Sequence, residues 1–221
     1  MNNIAIIFDM DGVIVDNHQF HLKSWLHFFE EHGVSMSEEE YKQKVNGRTM
    51  DEILPKILDR EMSKEEIREL GGQKEEKYRE MYLPHIMPTQ GLPQFLQQLE
   101  QNSIPYAVAT SAPPENVKFT LENTSLMERF TTIIDDTMVN KGKPDPEVYL
   151  TAAKKLNMAP ERCIVFEDAI LGIQSGKNAG MKVVGVATTH KREELEKERT
   201  DHVIDDFSAL TISELVSILR L

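Results

Sequence analysis

"IAIIFDMDGVIVD", Ile4 to Asp16, is the stretch that decides the fold. Five apolar residues run straight into Asp9. A second aspartate, Asp11, stands two places on, and Gly12 comes next. Apolar residues at consecutive rather than alternate positions suit a parallel strand buried on both faces. Such a strand delivers the residues after it to the rim of an open sheet, beyond the carboxyl ends of the strands, where sites form. Two carboxylates there, with a glycine free to turn the chain, read as chemistry on a rigid support.

Similar apolar runs recur at Ile104–Thr110, Phe130–Asp135, Arg162–Glu167 and Lys182–Ala187, with a weaker one at His202–Asp206. Between them, Leu92–Asn102, Pro114–Glu122, Glu147–Leu156 and Ala169–Ala179 carry apolar residues at helical spacing. In and just after the last of these, the small residues at Gly176 and Gly180 allow close packing on a sheet. Alternating strands and helices predict an α/β protein with a doubly wound parallel sheet.

The interval from Asn17 to His85 breaks the alternation. It reads as helices alone, with Phe20, Trp25, Phe28 and Phe29 at helical spacing. Ser63 followed by Glu66 has the pattern of a capping box, and Gly71–Gly72 weakens the case for one unbroken helix after it. The organisation expected is a core of residues 1–16 and 86–221 with an inserted helical module at 17–85. Val15–Asn17 and Leu83–Gln90 are the candidate linkers, with Asp16 placed to cap the helix after it. A module joined in this way is expected to open for substrate and close against bulk water.

Across its 221 residues the chain carries a net charge of −12, with 40% hydrophobic and 28% charged residues. That balance is globular, and no basic patch free of interleaved acids suggests nucleic acid. Lys191–Arg192 and Lys197–Arg199 sit among glutamates and read as a solvated face. No apolar run has the length of a membrane span, and the start of the chain does not resemble a signal peptide. The single cysteine, Cys163, lies in an apolar run and reads as a buried thiol. A cytoplasmic monomer, without membrane or nucleic-acid partners, is the expectation.

After the expected strands come Asp9 and Asp11, Thr110 and Ser111, and Glu167 and Asp168. "NKGKPDP" supplies Lys141 and Lys143 ahead of a helix. Hard carboxylate oxygens suggest Mg²⁺. With a lysine, the ion would neutralise a phosphate. A carboxylate can attack phosphorus to give an aspartyl-phosphate, and a second can act as general acid and base. The plainer readings are turn and helix caps: Asp9 and Asp11 capping a turn, Glu167–Asp168 capping the helix near Ala169, Asp168 serving both purposes. Thr110 also reads as a strand-end hydroxyl, and Lys143 as a solvated lysine.

The ordered set "DMDG", "VATSA", "GKPDP" and "FEDAILGIQSGKNAG" resembles the haloacid dehalogenase superfamily of phosphotransferases over essentially the whole chain. The insert looks like the helical cap of the beta-phosphoglucomutase-like subgroup. The resemblance implies a Rossmann-like core. It implies Asp9 as nucleophile and metal ligand, and Asp11 as general acid/base that also lends its carbonyl to the metal. It implies Thr110, with the backbone at Ser111 and Ala112, as phosphoryl-binding, Lys143 as charge-stabilising, and Glu167 and Asp168 as completing the Mg²⁺ site. In the insert it singles out His21, Trp25, Arg48 and Lys74.

His21, Trp25 and Lys74 match positions of the mutases. Their alternatives are a helix-surface histidine, a core aromatic, and a solvated lysine paired with Glu75, Glu76 or Glu80. The mutases have "G-x-S-R" where this chain has Gly47-Arg48-Thr49, which displaces the arginine and resembles the phosphatases. Dehalogenases differ at Asp11 and need no magnesium. A non-catalytic binding module would be expected to lose Asp9, Asp11 or Lys143, and this chain keeps all three. The expected function is a Mg²⁺-dependent phosphatase of small phosphorylated metabolites, sugar phosphates foremost. A beta-phosphoglucomutase or related hexose phosphomutase is the alternative.

Overall fold

The computed structural model describes residues 4–45 and 48–219, so Gly47 of the Gly47-Arg48-Thr49 comparison lies outside the described residues. In chain order, β1 (Ala5–Phe8) is followed by α1 (His18–Glu31), α2 (Glu38–Lys44), α3 (Met50–Ile57) and α4 (Lys64–Tyr82). Then come α5 (Leu92–Gln101), β2 (Tyr106–Ala109), α6 (Pro114–Asn123), β3 (Ile133–Ile134), α7 (Glu147–Lys155), β4 (Cys163–Glu167) and α8 (Ile170–Asn178). The series ends with β5 (Lys182–Val186), α9 (Arg192–Lys197), β6 (His202–Ile204) and α10 (Ile212–Leu219). The chain divides into two compact units, Met1–Asp16 with Ile86–Leu221, and Asn17–His85.

Among the described residues the first unit holds one sheet of six parallel strands in the order β3-β2-β1-β4-β5-β6. β1 lies inside it, between β2 and β4, which explains why all four of its residues are buried. Successive side chains point to opposite faces. Phe8 joins Phe95, Phe166 and Phe207 on one face, with Phe8 and Phe166 stacked at 5.2 Å. Ala5 and Ile7 join Val165, Val183, Tyr149 and Ile173 on the other. β3 is much shorter than the run Phe130–Asp135 suggests. It is an edge strand paired only with β2, and a 3-10 turn at Met127–Arg129 leads into it.

Cys163 is fully buried at the start of β4, and burial pushes its thiol up to about 12. Alkylation by iodoacetamide at pH 8 should therefore be slower in the native chain than in urea by about three orders of magnitude. Mass spectrometry against time would check this, and equal rates would show that β4 opens readily.

The second unit is helical. Trp25, Phe28, Phe29, Tyr41, Ile53, Leu54 and Ile67 form its core. Ser37 caps α2 reciprocally with Glu40, and Ser63 accepts the N–H of Glu66 at the start of α4. Two expectations are corrected by this unit. The N-cap position of α1 belongs to Asn17, not Asp16. The Gly71–Gly72 pair does not interrupt α4, which runs unbroken to Tyr82. Gly71 is buried and faces the Met50 side chain of α3, so packing overrides the weak intrinsic preference of glycine.

Candidate active site

The in-register pairing of β1 with β4, Phe8 opposite Phe166, carries Asp9 and Glu167 out side by side. Asp9 donates its N–H to Phe166 O at 3.0 Å, and its side chain is almost entirely buried. Lys143 reaches both carboxylates from the loop before α7. Its Nζ lies 2.6 Å from Asp9 Oδ1 and 2.6 Å from Glu167 Oε1. The solvated-lysine reading of Lys143 is thus set aside. Glu147 fixes this loop by accepting the N–H groups of Asn140 and Lys141 and the Asn140 amide, each at 2.9 Å. Ser175 of α8 adds a bond to the Asp145 carbonyl at 2.7 Å.

Glu167 is fully buried. Its Oε1 also accepts the Tyr149 hydroxyl at 2.7 Å, and Oε2 accepts the N–H groups of Asp168 and Ala169 at 3.0 Å each. Glu167 therefore satisfies the amides at the entry to α8, a task the sequence suggested for Asp168 as well. The N-cap position is Ala169 and carries no side-chain cap. Tyr149 is pushed well above the usual phenol range by burial and then by Glu167, so it acts as a donor.

Asp168, also buried, hydrogen-bonds the Thr189 side chain. The turn after Asp9 folds onto it. Gly12 has φ +78°, and a Cβ there would stand 1.9 Å from Asp168 Oδ2. Only glycine meets both demands. Thr188 Oγ1 donates to the Gly12 carbonyl at 2.5 Å, joining this turn to the loop after β5. Asp11 lies half-buried in the same turn, near enough for its charge to act on Asp9.

At the end of β2, Thr110 is buried and donates its N–H to Ile134 O at 2.9 Å. Its hydroxyl oxygen accepts the Ala112 N–H at 3.0 Å, which leaves the hydroxyl proton to donate. The Ala112 amide is thus turned onto Thr110 in this structure. Ser111 between them is exposed.

Charge at the rim is out of balance. Burial raises the Asp9 carboxyl to about 8 against the pull of Lys143, with Glu167 and Asp11 pushing the same way as burial. Asp168 is raised well above the usual range by burial, then by Glu167 and Asp9. Burial works to lower Lys143, yet Asp9 and Glu167 outweigh it and hold the lysine above its usual range. With all three carboxyls ionised, one ammonium would leave two negative charges uncompensated, which is why burial and mutual repulsion favour protonation of Asp9 and Asp168 until a cation is supplied. Carboxylate oxygens of Asp9, Glu167 and Asp168 lie within 4.8 Å of one another. An all-oxygen donor set short of two positive charges fits a hard divalent cation of the Mg²⁺ class.

In the helical unit the structure brings His21, Trp25 and Lys74 together. Lys74 is buried, contrary to the solvated reading. Its Nζ lies 3.0 Å from His21 Nδ1 and 2.8 Å from Glu75 Oε1, and above the rings of Trp25 (5.1 Å) and Tyr78 (5.6 Å). An ammonium only donates, so His21 Nδ1 is the acceptor of this bond. His21 stacks on Tyr78 with centroids 3.9 Å apart, so it is not a free surface histidine. Trp25 is nearly buried and stacks on Phe29, in keeping with a core aromatic. Arg48 is exposed and donates to Gln43 O at 3.4 Å.

Sequence reasoning missed Tyr149, Glu147, Gly172 and the Thr188–Thr189 pair. Glu147 and Tyr149 directly follow "GKPDP", which was the available signal. The sequence profile of the haloacid dehalogenase-like hydrolase family matches residues 6–186. Beta-phosphoglucomutase of Bacillus subtilis is 34% identical over 190 residues, covering 82% of this chain and 82% of that protein. Validoxylamine A 7'-phosphate phosphatase of Streptomyces hygroscopicus subsp. limoneus is 31% identical over 189 residues, covering 86% and 88%. The crystal structure of a HAD hydrolase, family IA, variant 3, from Entamoeba histolytica superposes with a TM-score of 0.93 at 33% identity, over 99% of this chain and 100% of that one.

Proposed function

The chain belongs to the haloacid dehalogenase-like hydrolase family and is an enzyme of its phosphatase and phosphotransferase type; we propose that it is a Mg²⁺-dependent phosphatase of small phosphorylated metabolites, sugar phosphates foremost. The observation that carries this reading is the Lys143 ammonium shared between Asp9 and Glu167 at the sheet rim, with Asp168 beside them.

In the first half-reaction an Asp9 carboxylate oxygen attacks phosphorus. The ester P–O bond breaks, and Asp11 protonates the departing oxygen. In the second, Asp11 takes a proton from water, the water oxygen attacks phosphorus, and the P–O bond to Asp9 breaks, releasing phosphate and restoring the carboxylate. Lys143 stabilises charge on Asp9 and on the transferring group, while the Thr110 hydroxyl and the Ser111 amide hold phosphoryl oxygens. Asp9, Glu167 and Asp168, with the Asp11 carbonyl, are the groups that would hold the cation. Mg²⁺ held there would supply neutralising charge to the phosphoryl oxygens.

The second reading is a beta-phosphoglucomutase or related hexose phosphomutase. The bond between Lys74 and His21, together with the 34% identity to such an enzyme, favours it. The displaced Arg48 supports the phosphatase. Phosphorus NMR of beta-glucose 1-phosphate and a panel of sugar phosphates, with Mg²⁺ and a trace of glucose 1,6-bisphosphate, separates them. Inorganic phosphate should accumulate, stop on addition of EDTA, and resume with excess Mg²⁺. Net conversion to glucose 6-phosphate would replace the phosphatase with the mutase. Turnover indifferent to EDTA would remove both.

A further inference from the structure

Asp11 stands in a turn that is closed by its own backbone bonds. The Met10 carbonyl accepts the Ile14 N–H at 2.8 Å, and the Gly12 N–H donates to Val15 O at 2.7 Å. A peptide unit is planar, so these two bonds set the directions in which the chain enters and leaves Asp11. The turn therefore moves as one body, and its place depends on what ties it to the sheet. Its start is tied by the Asp9 N–H to Phe166 O, and the Ile14 carbonyl accepts the Thr89 N–H at 2.8 Å. A further tie is a side chain. Thr188 Oγ1 donates to the Gly12 carbonyl at 2.5 Å, from 176 positions further along the chain. Thr188 is itself well held: its N–H donates to Val186 O, and the Ala187 N–H donates to Ile204 O of β6, each at 2.9 Å. Gly12 is buried, so its carbonyl depends on this donor.

We propose that Thr188 is a positioning residue for Asp11: its hydroxyl, acting through the Gly12 carbonyl, sets where the general acid meets the departing oxygen. This assignment rests on the role given to Asp11 above and deepens it. Without the hydroxyl a buried carbonyl loses its donor, and the turn shifts to find another. Misplacing a catalytic group by about 1 Å can cost about a hundredfold in rate.

The step that suffers depends on the leaving group. As Asp9 attacks phosphorus and the ester P–O bond breaks, a sugar oxygen takes the proton of the Asp11 carboxyl, which becomes a carboxylate. p-Nitrophenolate is stable as an anion. It departs with its electron pair, and Asp11 keeps its proton. Both substrates call equally on Asp9 and Lys143. A displaced Asp11 therefore slows the sugar phosphate and spares the nitrophenyl ester, whereas a site that is merely loosened slows both.

The test is kcat/KM, which covers the steps through departure of the leaving group. It is measured at saturating Mg²⁺ for p-nitrophenyl phosphate and for the sugar phosphate of the panel above that turns over fastest. Thr188→Val keeps the shape of threonine and removes the hydroxyl. Thr188→Ala removes it with less bulk, should valine fold poorly, and Thr188→Ser keeps it. Circular dichroism and a thermal melt check each fold. In the hydroxyl-free variants kcat/KM for the sugar phosphate should fall about tenfold or more, and for p-nitrophenyl phosphate it should stay within about twofold. Thr188→Ser should bring the sugar phosphate back to within about threefold of the unmutated chain. The Mg²⁺ concentration giving half the maximal rate should not move.

Equal losses on the two substrates would overturn the proposal, as would no loss at all, or a serine that restores nothing. A rise of about tenfold in the Mg²⁺ requirement would overturn it too, because Thr188 would then serve the Asp11 carbonyl rather than its carboxyl. Asp11→Asn checks the role of Asp11 separately. Its effect should fall mainly on the sugar phosphate, by about a hundredfold or more. If it slowed both substrates alike, the general-acid reading itself would fail, whatever the Thr188 variants show.

Discussion

Asp9→Asn should abolish phosphate release, by about 10⁴-fold or more, in a chain that melts no lower than the unmutated one. Asparagine has the shape of aspartate but cannot form the acyl phosphate. Burial is the main reason the Asp9 carboxyl is raised to about 8, so the ionised form is poorly housed without a cation. A neutral amide of the same size removes that penalty, and Lys143 keeps its second partner, Glu167. The two effects have opposite signs, which is the diagnostic feature. A phosphate-release assay and a thermal melt on one preparation check both. Activity above about one per cent would show that Asp9 is not the nucleophile. A large loss of thermal stability would show that its charge is needed by the fold.

Gly172→Ala should destabilise the chain by about 3 kcal/mol or more and reduce turnover as well. Alanine is the better helix former by about 1 kcal/mol, so helix preference alone predicts the opposite sign. A Cβ at residue 172 would stand 1.6 Å from Glu167 Oε1 and 2.0 Å from its Cδ. The carboxylate cannot step aside without breaking bonds to Lys143, Tyr149 or the amides entering α8. Nor can α8 move freely, because Gly176, one turn on, lies against Val183 and Val165 of the sheet. Urea denaturation gives the energy. Unchanged or increased stability would mean that the Glu167 network yields easily, contrary to its geometry.

The centre of the sheet was legible because parallel strands buried on both faces leave apolar residues at consecutive positions. The same logic put Asp9, Thr110, Glu167 and Asp168 at strand ends. The edge was less legible: β3 has one neighbour, and little in Phe130–Asp135 says where pairing stops. Tyr149 was missed because it sits beside Val148 and ahead of Ala152 on the buried side of α7, where an aromatic reads as packing. Only the placement of its hydroxyl on Glu167 reveals a polar task. Gly172 was passed over for a related reason. A small residue in a helix suggests contact with a sheet, which Gly176 does make, whereas Gly172 makes room for a carboxylate. Lys74 lies in the polar run "QKEEKY", and nothing local announces that Trp25 and Tyr78 cover it.

The strand order also bears on the order of assembly during synthesis. β1 emerges first yet is central, so its apolar faces and both its edges wait for partners made much later. Lys143 and Asp9 are 134 positions apart in the chain, and β4 is later still. Pairings of such sequence separation form slowly, since the entropy of closing the loop precedes any gain from contact. A nascent chain that ends before β4 therefore carries an exposed strand tipped with Asp9, a substrate for chaperones rather than a partial enzyme. Pausing the ribosome on either side of residues 163–167 should mark the change from chaperone-bound to protease-resistant chains.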